Sequence, residues 1–263
     1  MAEKLVPRPA ATLLLLRDGS LGPEAFLLQR THDAAFLGGA HVFPGGALDK
    51  ADRDTRVLSR VAGLSDAEAS VRLGLDAGGL AFWVAAIREC FEEAGILLAE
   101  GEDGRPVDAV RAAALAPYRG LLHAGKLAFH EFLEKERLRL RGRELAYFGH
   151  WVTAPGRARR FDTRFFLALA PEAQAGAHDG TELVASQWLR PLDAIEREAR
   201  GELQLVFATK NTLADLVRFA RARDALEHAR EADVETNRAC WAFGPDGAAA
   251  LFRRRDPQYF EIH

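Results

Sequence analysis

A chain of 263 residues with a formal net charge of −3, 48% hydrophobic and 28% charged residues, has the make-up of a soluble globular protein and accommodates one large domain or two small ones. That charge gives no electrostatic reason to expect nonspecific nucleic-acid binding, and no apolar run approaches the ~20 residues of a membrane span. The two cysteines, Cys90 and Cys240, make neither a disulfide framework nor a metal-spaced cluster, and with no signal peptide at the start and no sorting address in Phe260–His263 the expected location is cytoplasmic.

In chain order, Ala10–Arg17 is an apolar run of strand length. Turn chemistry from Asp18 to Pro23 separates it from a second strand, Ala25–Gln29, so the two predict a hairpin. Arg30–Ala40 reads as a loop, and Val42-Phe43 leads into Pro44-Gly45-Gly46. Residues 53–79 predict two short helices: Asp54–Val61 is helix-permissive, and Ser65 with Glu68 forms a capping-box pattern before an apolar run. A helix over Leu80–Ala94 follows, with Leu80, Val84, Ile87 and Phe91 as its apolar stripe and Gly95 ending it. Val107–His123 and Phe129–Leu140 predict helices. Leu145–Thr153, Phe161–Leu169 and Leu183–Leu189 predict strands. Pro191 suits the first position of another helix, Lys210–Glu231 predicts one long helix, and Trp241–Phe252 short strands or loops. The pattern is that of one α/β domain over 1–263 with a mixed sheet, an insertion at about 53–79 and a helical extension at about 201–263.

Chemistry concentrates in Arg88-Glu89-Cys90-Phe91-Glu92-Glu93-Ala94-Gly95-Ile96. Glu89, Glu92 and Glu93 share one helical face, where like charges repel. A hard divalent cation relieves that repulsion, because Mg²⁺ and Mn²⁺ take oxygen ligands. Arg88 is placed to pair with Glu92 one turn later. Cys90 reads as a packed thiol rather than a ligand.

With Gly46 and Asp52, these residues resemble the Nudix box, G-x5-E-x7-R-E-U-x-E-E-x-G-U. Asp52 stands where the pattern has Glu, and residues 53–87 stand where it has seven, so the box is split by an insertion, as in the acyl-CoA diphosphatase-like branch. The resemblance implies an α/β/α sandwich over about 10–200 and hydrolysis of a nucleoside diphosphate derivative. It also implies Glu89 and Glu93 as principal metal ligands, Glu92 as a further ligand or partner of Arg88, and a backbone carbonyl near Gly46. Mg²⁺ or Mn²⁺ is the implied cofactor. Arg88, Gly45, Gly95 and Asp52 are expected to be structural parts of the motif, although Asp52, one methylene short, is also open to reaching the metal through water. Glu182, before the strand bearing Trp188, resembles the family's acidic residue outside the box, with Asp179 as its competitor.

The run Gly39 to Gly46 resembles the end of a coenzyme A diphosphatase signature, but Ala35 stands where that signature has Arg. Arg30 is the candidate displaced into that role. Arg160 and Arg164, on one side of a strand whose Phe161 and Phe165 share a side, are candidates for phosphate recognition. His41 and Trp151 read as packing residues. The insertion has both ends beside the proposed site, so it is placed either as a structural cap or as a border of the substrate mouth. The expected partner is a small diphosphate, favouring CoA or acyl-CoA over an ADP-sugar or dinucleotide. Nucleic acid and membrane are not expected, and the oligomeric state is left open. A non-catalytic Nudix-fold sensor is the reading from another class; such proteins commonly lose box carboxylates, and here all three are present.

Overall fold

The computed structural model describes residues 5–32, 38–180, 182–243 and 249–253; Ala35 and the final residues lie outside that set. The first hairpin is β1 (Arg8–Gly19) and β2 (Gly22–Arg30), paired antiparallel from Leu16–Ala25 to Gly19–Gly22. Short strands β3 (His41–Val42) and β4 (Gly45–Ala47) carry the glycine motif. A 3-10 turn at Lys50–Arg53 precedes helices α1 (Thr55–Leu58) and α2 (Asp66–Leu73), with the expected reciprocal bonds between Ser65 and Glu68. The motif helix α3 spans Leu80–Ala94 and ends on Gly95 at φ 69°, a left-handed conformation that glycine adopts without a Cβ penalty.

Then come β5 (Ala99–Gly101), α4 (Ala109–Leu115), α5 (Tyr118–His123) and α6 (Phe129–Lys135). Pro117 divides α4 from α5, since proline has no N–H with which to continue a helix. The expected helix to Leu140 stops at Lys135: Arg137 takes a positive φ of 50°, and Leu138–Leu140 becomes β6, paired with β5. Strands β7 (Ala146–Val152), β8 (Phe161–Leu169) and β9 (Leu183–Leu189) match their predicted positions, and α7 (Pro191–Ala199) begins with proline at N1.

The predicted long helix is two, α8 (Phe207–Leu216) and α9 (Ala222–Glu231). Arg221 is extended between them, and Asp18 of the first hairpin accepts a hydrogen bond from Ala222 N at 2.7 Å, satisfying a free N–H of the new helix start. The break lets Leu213 and Leu216 on one segment, and Ala225, Leu226 and Ala229 on the other, all reach the sheet. Nor is the extension purely helical. It closes with β10 (Thr236–Phe243) and β11 (Ala249–Arg253), and β10 joins the main sheet parallel to β7.

The main sheet runs β11-β10-β7-β8-β1-β2-β3, with β4 on β1 and β9 on β2. It is mixed: β1–β8 and β7–β10 are parallel, the other pairs antiparallel. Central strands are apolar on both sides because both faces are covered. Leu13, Leu15, Phe26, Leu28 and Phe166 pack towards α3, α6 and the insertion. Leu14, Leu16, Leu27, Phe165 and Leu167 pack towards α7, α8 and α9. The result is a helix–sheet–helix sandwich.

The insertion sits wholly on the α3 side, with Val57, Leu64 and Leu73 in the core there. Asp66 accepts from Gly78 N and Leu80 N, both at 2.9 Å, and Ser70 Oγ from Gly79 N at 2.9 Å. These bonds satisfy orphan donors at the start of α3, so the insertion anchors the motif helix.

Candidate active site

Helix α3 delivers its carboxylates because its sequence separates two faces. Trp83, Ile87, Cys90 and Phe91 are buried in the core, whereas Glu89, Glu92 and Glu93 line a cleft of about 650 Å³. Across from them, β4 contributes Gly45 and Gly46 to the same cleft. Gly45 N donates to Glu93 Oε2 at 2.8 Å. A Cβ on Gly46 would lie 2.5 Å from Glu89 Oε1, so glycine is required for the strand and the carboxylate to approach.

Arg88 holds this arrangement from behind. Its Nε and Nη2 donate to Asp52 Oδ1 and Oδ2 at 2.7 and 3.0 Å, a bidentate pair. Its Nη1 donates to Glu89 Oε1 at 2.9 Å and to Glu92 Oε1 at 3.4 Å. The expected Arg88–Glu92 pair is therefore present but is the longest of these contacts. Asp52 is 0% exposed, accepts also from Asp49 N at 2.7 Å, and does not line the cleft. It anchors the arginine, and the reading in which it reaches a metal through water is set aside.

Burial pushes the carboxyls of Glu89 and Glu92 above the ordinary range, with Arg88 opposing in each case. For Glu93 burial acts first and the charge of Glu89 adds to it, so its carboxyl is raised further; Gly45 N–H and Arg30 pull the other way. The wall thus holds more carboxylate than its cationic partners neutralise. Among the described residues no three acidic, histidine or cysteine side chains are already drawn together as a metal centre. The donors nonetheless fit a hard cation: they are oxygens, they face open space in the cleft, and a glycine leaves the backbone accessible beside them.

Glu182 and Arg30 complete this end. Both line the cleft, with Glu182 preceding β9 as expected. Asp179 does not line it; its Oδ1 accepts from Leu183 N at 3.1 Å, which shapes the turn. Arg30 Nε is buried without a hydrogen-bond partner among the described residues. Arg160 and Arg164 are not brought to the site. Arg160 donates to the carbonyls of Thr153 and Leu5 at 3.1 and 2.8 Å. Arg164 is buried against Asp162 and lies 5.1 Å from the Phe82 ring centre. Strand alternation puts both on the face away from the cleft, where Phe161, Thr163 and Phe165 point instead.

His41 is a packing residue as read: 5% exposed, with Nδ1 3.3 Å from Gln204 O. Trp151 is more than that, because it lines the cleft. No residue of the insertion lines the cleft, which removes its reading as a border of the mouth. The extension does so instead, through Leu205–Thr209, Ala239 and Leu251.

Two further residues had no signal in the sequence. His123 of α5 faces the cleft, 3.9 Å from Glu182 Oε1. Arg119, one turn earlier on α5, donates to the carbonyls of Glu92, Glu93 and Ala177 at 3.1, 2.8 and 2.9 Å. It closes the C-terminal end of α3 and ties that end to the loop leading to Glu182.

The chain is similar to known Nudix proteins. The family profile described as the NUDT19 Nudix domain matches residues 69–210. The acyl-coenzyme A diphosphatase NUDT19 of Gallus gallus is 32% identical over 82% of the chain and 70% of its own length. That of Homo sapiens is 31% identical over 78% of the chain and 66% of its own length. Among solved structures, the NUDIX hydrolase from Alicyclobacillus acidocaldarius superposes with a TM-score of 0.66 at 30% identity, covering 84% of this chain and 96% of that one.

Proposed function

The chain belongs to the NUDT19 Nudix domain family, and on that premise we propose that it is a divalent-cation-dependent diphosphatase whose substrate is coenzyme A or an acyl-CoA thioester. The observation that carries this is one cleft in which Glu89, Glu92, Glu93 and Glu182 meet Arg30, and which continues into an aromatic chamber. Glu89 and Glu93 would hold Mg²⁺ or Mn²⁺, with Glu92 as a further ligand shared with Arg88 and the Gly46 backbone beside them. Such a cation neutralises diphosphate charge and acidifies water.

The chain's own residues supply the rest. Arg30, whose side chain lines the cleft, donates from its guanidinium to a phosphate oxygen. Glu182, which lines the cleft and is 59% exposed at its side chain, takes a proton from the attacking water in this reading. The water oxygen bonds to one phosphorus and the bridging P–O bond breaks, giving two phosphate monoesters. Arg88, Asp52 and Arg119 keep the carboxylates aligned, and most of the rate gain in such chemistry comes from positioning and charge. The whole chain, 1–263, acts as one unit in this proposal, because β10 extends the same sheet that carries β4.

A substrate panel tests it. Coenzyme A, acyl-CoA thioesters, an ADP-sugar and a dinucleotide are each incubated with Mg²⁺ or Mn²⁺, and phosphomonoester products are measured. Preference for CoA compounds is expected. Preference for the ADP-sugar or dinucleotide would replace the substrate assignment, and turnover of none would favour a nucleotide sensor.

A further inference from the structure

The cleft does not end at the carboxylates. Its floor crosses the sheet along registered rows: Gly45 pairs with Thr12 and Thr12 with Phe165, while Ala47 pairs with Ala10, Ala10 with Thr163 and Thr163 with Trp151. Three strand spacings separate β4 from β7, roughly 14 Å at the usual interstrand distance. Thr12, Thr163, Phe165 and Trp151 all face the cavity along this path. The roof is the entry to α8, where Leu205 and Phe207 face the floor and Phe207 meets Trp151 edge-on at 5.9 Å between ring centres. Ala239 and Leu251 of the terminal hairpin close the far end. The cleft changes character along this path: carboxylates and Arg30 at β4, hydroxyls of Thr12 and Thr163 over β1 and β8, then mainly aromatic and aliphatic groups at β7 and beyond, joined there by Thr153, the half-buried Arg157 and the exposed Arg8.

Resting on the diphosphatase reading, we propose that this far chamber, roofed by Leu205 and Phe207 and closed by Ala239 and Leu251, is the binding site for the acyl chain, and that the C-terminal extension therefore sets chain-length selectivity. This succession fits one ligand laid in one direction. The diphosphate lies at the acidic end, an arm containing amides crosses the threonine hydroxyls, and a chain without polar groups lies among Trp151, Phe207 and Leu251. About 14 Å is the reach of roughly four extended residues, a length suited to a peptide-like arm between diphosphate and thioester. Burying methylenes against Trp151, Phe207 and Leu251 is favourable. Ala239 is small where the chamber ends, so its side chain limits how far a chain can extend.

Two measurements on the full chain test this. The first is calorimetric binding of S-acyl phosphopantetheines, from acetyl to octanoyl, to the wild-type protein. Affinity is expected to tighten about twofold to fourfold per methylene until the chamber fills; affinity independent of chain length overturns the proposal. The second is selectivity, read as kcat/KM for a medium-chain thioester divided by kcat/KM for free coenzyme A. Ala239→Trp, which fills the chamber, should lower this ratio tenfold or more. Phe207→Ala, which enlarges it, should move the preferred chain length upward. A ratio and preference equal to wild type in the folded variants also overturns it. If the wild type cleaves no CoA compound but still binds acyl chains with length-dependent affinity, the diphosphatase reading fails and the chamber assignment stands.

Discussion

Replacing Asp52 by Asn should destabilise the protein strongly while leaving every cleft-lining side chain in place. Asp52 and Arg88 are buried, at 0% and 8% exposure, and joined by two hydrogen bonds of 2.7 and 3.0 Å. An amide of the same shape keeps one acceptor. Its NH₂ group then faces an arginine N–H, and the guanidinium keeps only Glu89 and Glu92 as counter-charges. Breaking one side of a buried pair costs about 3–5 kcal/mol. For a chain of this size that corresponds to a Tm drop of roughly 6–20 °C. A second effect follows from geometry. Arg88 Nη1 already reaches Glu89 and Glu92, so a guanidinium freed from Asp52 turns towards them and competes with a cation. The assay is chemical denaturation together with a Mg²⁺ titration of activity. Loss of stability should come with a higher half-saturating Mg²⁺ concentration. A change under about 1 kcal/mol with an unaltered Mg²⁺ curve would refute the role assigned to this pair.

The remaining expectations concern the same frame. Burial and mutual repulsion raise the Glu93 carboxyl well above its usual value, so the metal-free native state binds a proton more tightly than the unfolded chain. This contribution is fully present below the unfolded carboxylate range and is lost as pH rises through the folded pKa. In chelator, wild-type Tm should therefore fall with rising pH above about 4.5 more steeply than that of Glu93→Gln, and Mg²⁺ should remove the difference; parallel profiles would count against a strained carboxylate. Asp66→Ala should cost about 1–2 kcal/mol by uncapping α3 while KM for every substrate stays at the wild-type value, because the insertion does not line the cleft; altered substrate preference would return it to the mouth. Arg119→Ala should cost about 1.5–3 kcal/mol and lower kcat more than it raises KM, with partial recovery in Arg119→Lys; an effect on KM alone would argue against positioning.

Much of the scaffold was legible in the chain. The limits of α3 follow from its apolar stripe and from Gly95, and β8 and β9 from runs bounded by turn residues. The three box carboxylates read correctly as one helical face because their spacing is a local property. What escaped depends on contacts distant in sequence. Asp52 and Arg88 are bonded across 36 positions, and nothing local announces it. Alternation in β8 placed Arg160 and Arg164 on one side and Phe161 and Phe165 on the other, but which side faces the cleft is decided by the helices packed on each face. The insertion's apolar residues indicated burial without saying where. The chamber wall comes from Leu205–Thr209 and a strand pairing parallel to β7 across more than eighty residues, from Thr236 to His150, a pairing that no periodicity encodes.

The most direct test of the account is product analysis of an acyl-CoA incubated with wild type, Glu89→Gln and Glu93→Gln, each with Mg²⁺ and then with excess chelator. Wild type with Mg²⁺ should release acyl phosphopantetheine and adenosine 3′,5′-bisphosphate in equal amounts. Chelator should abolish this, and each variant should lose roughly a hundredfold or more in rate while retaining a folded spectrum. Release of free acid and intact coenzyme A, cleavage that survives chelation, or a Glu93→Gln rate near wild type would each contradict a diphosphatase built on the α3 carboxylates.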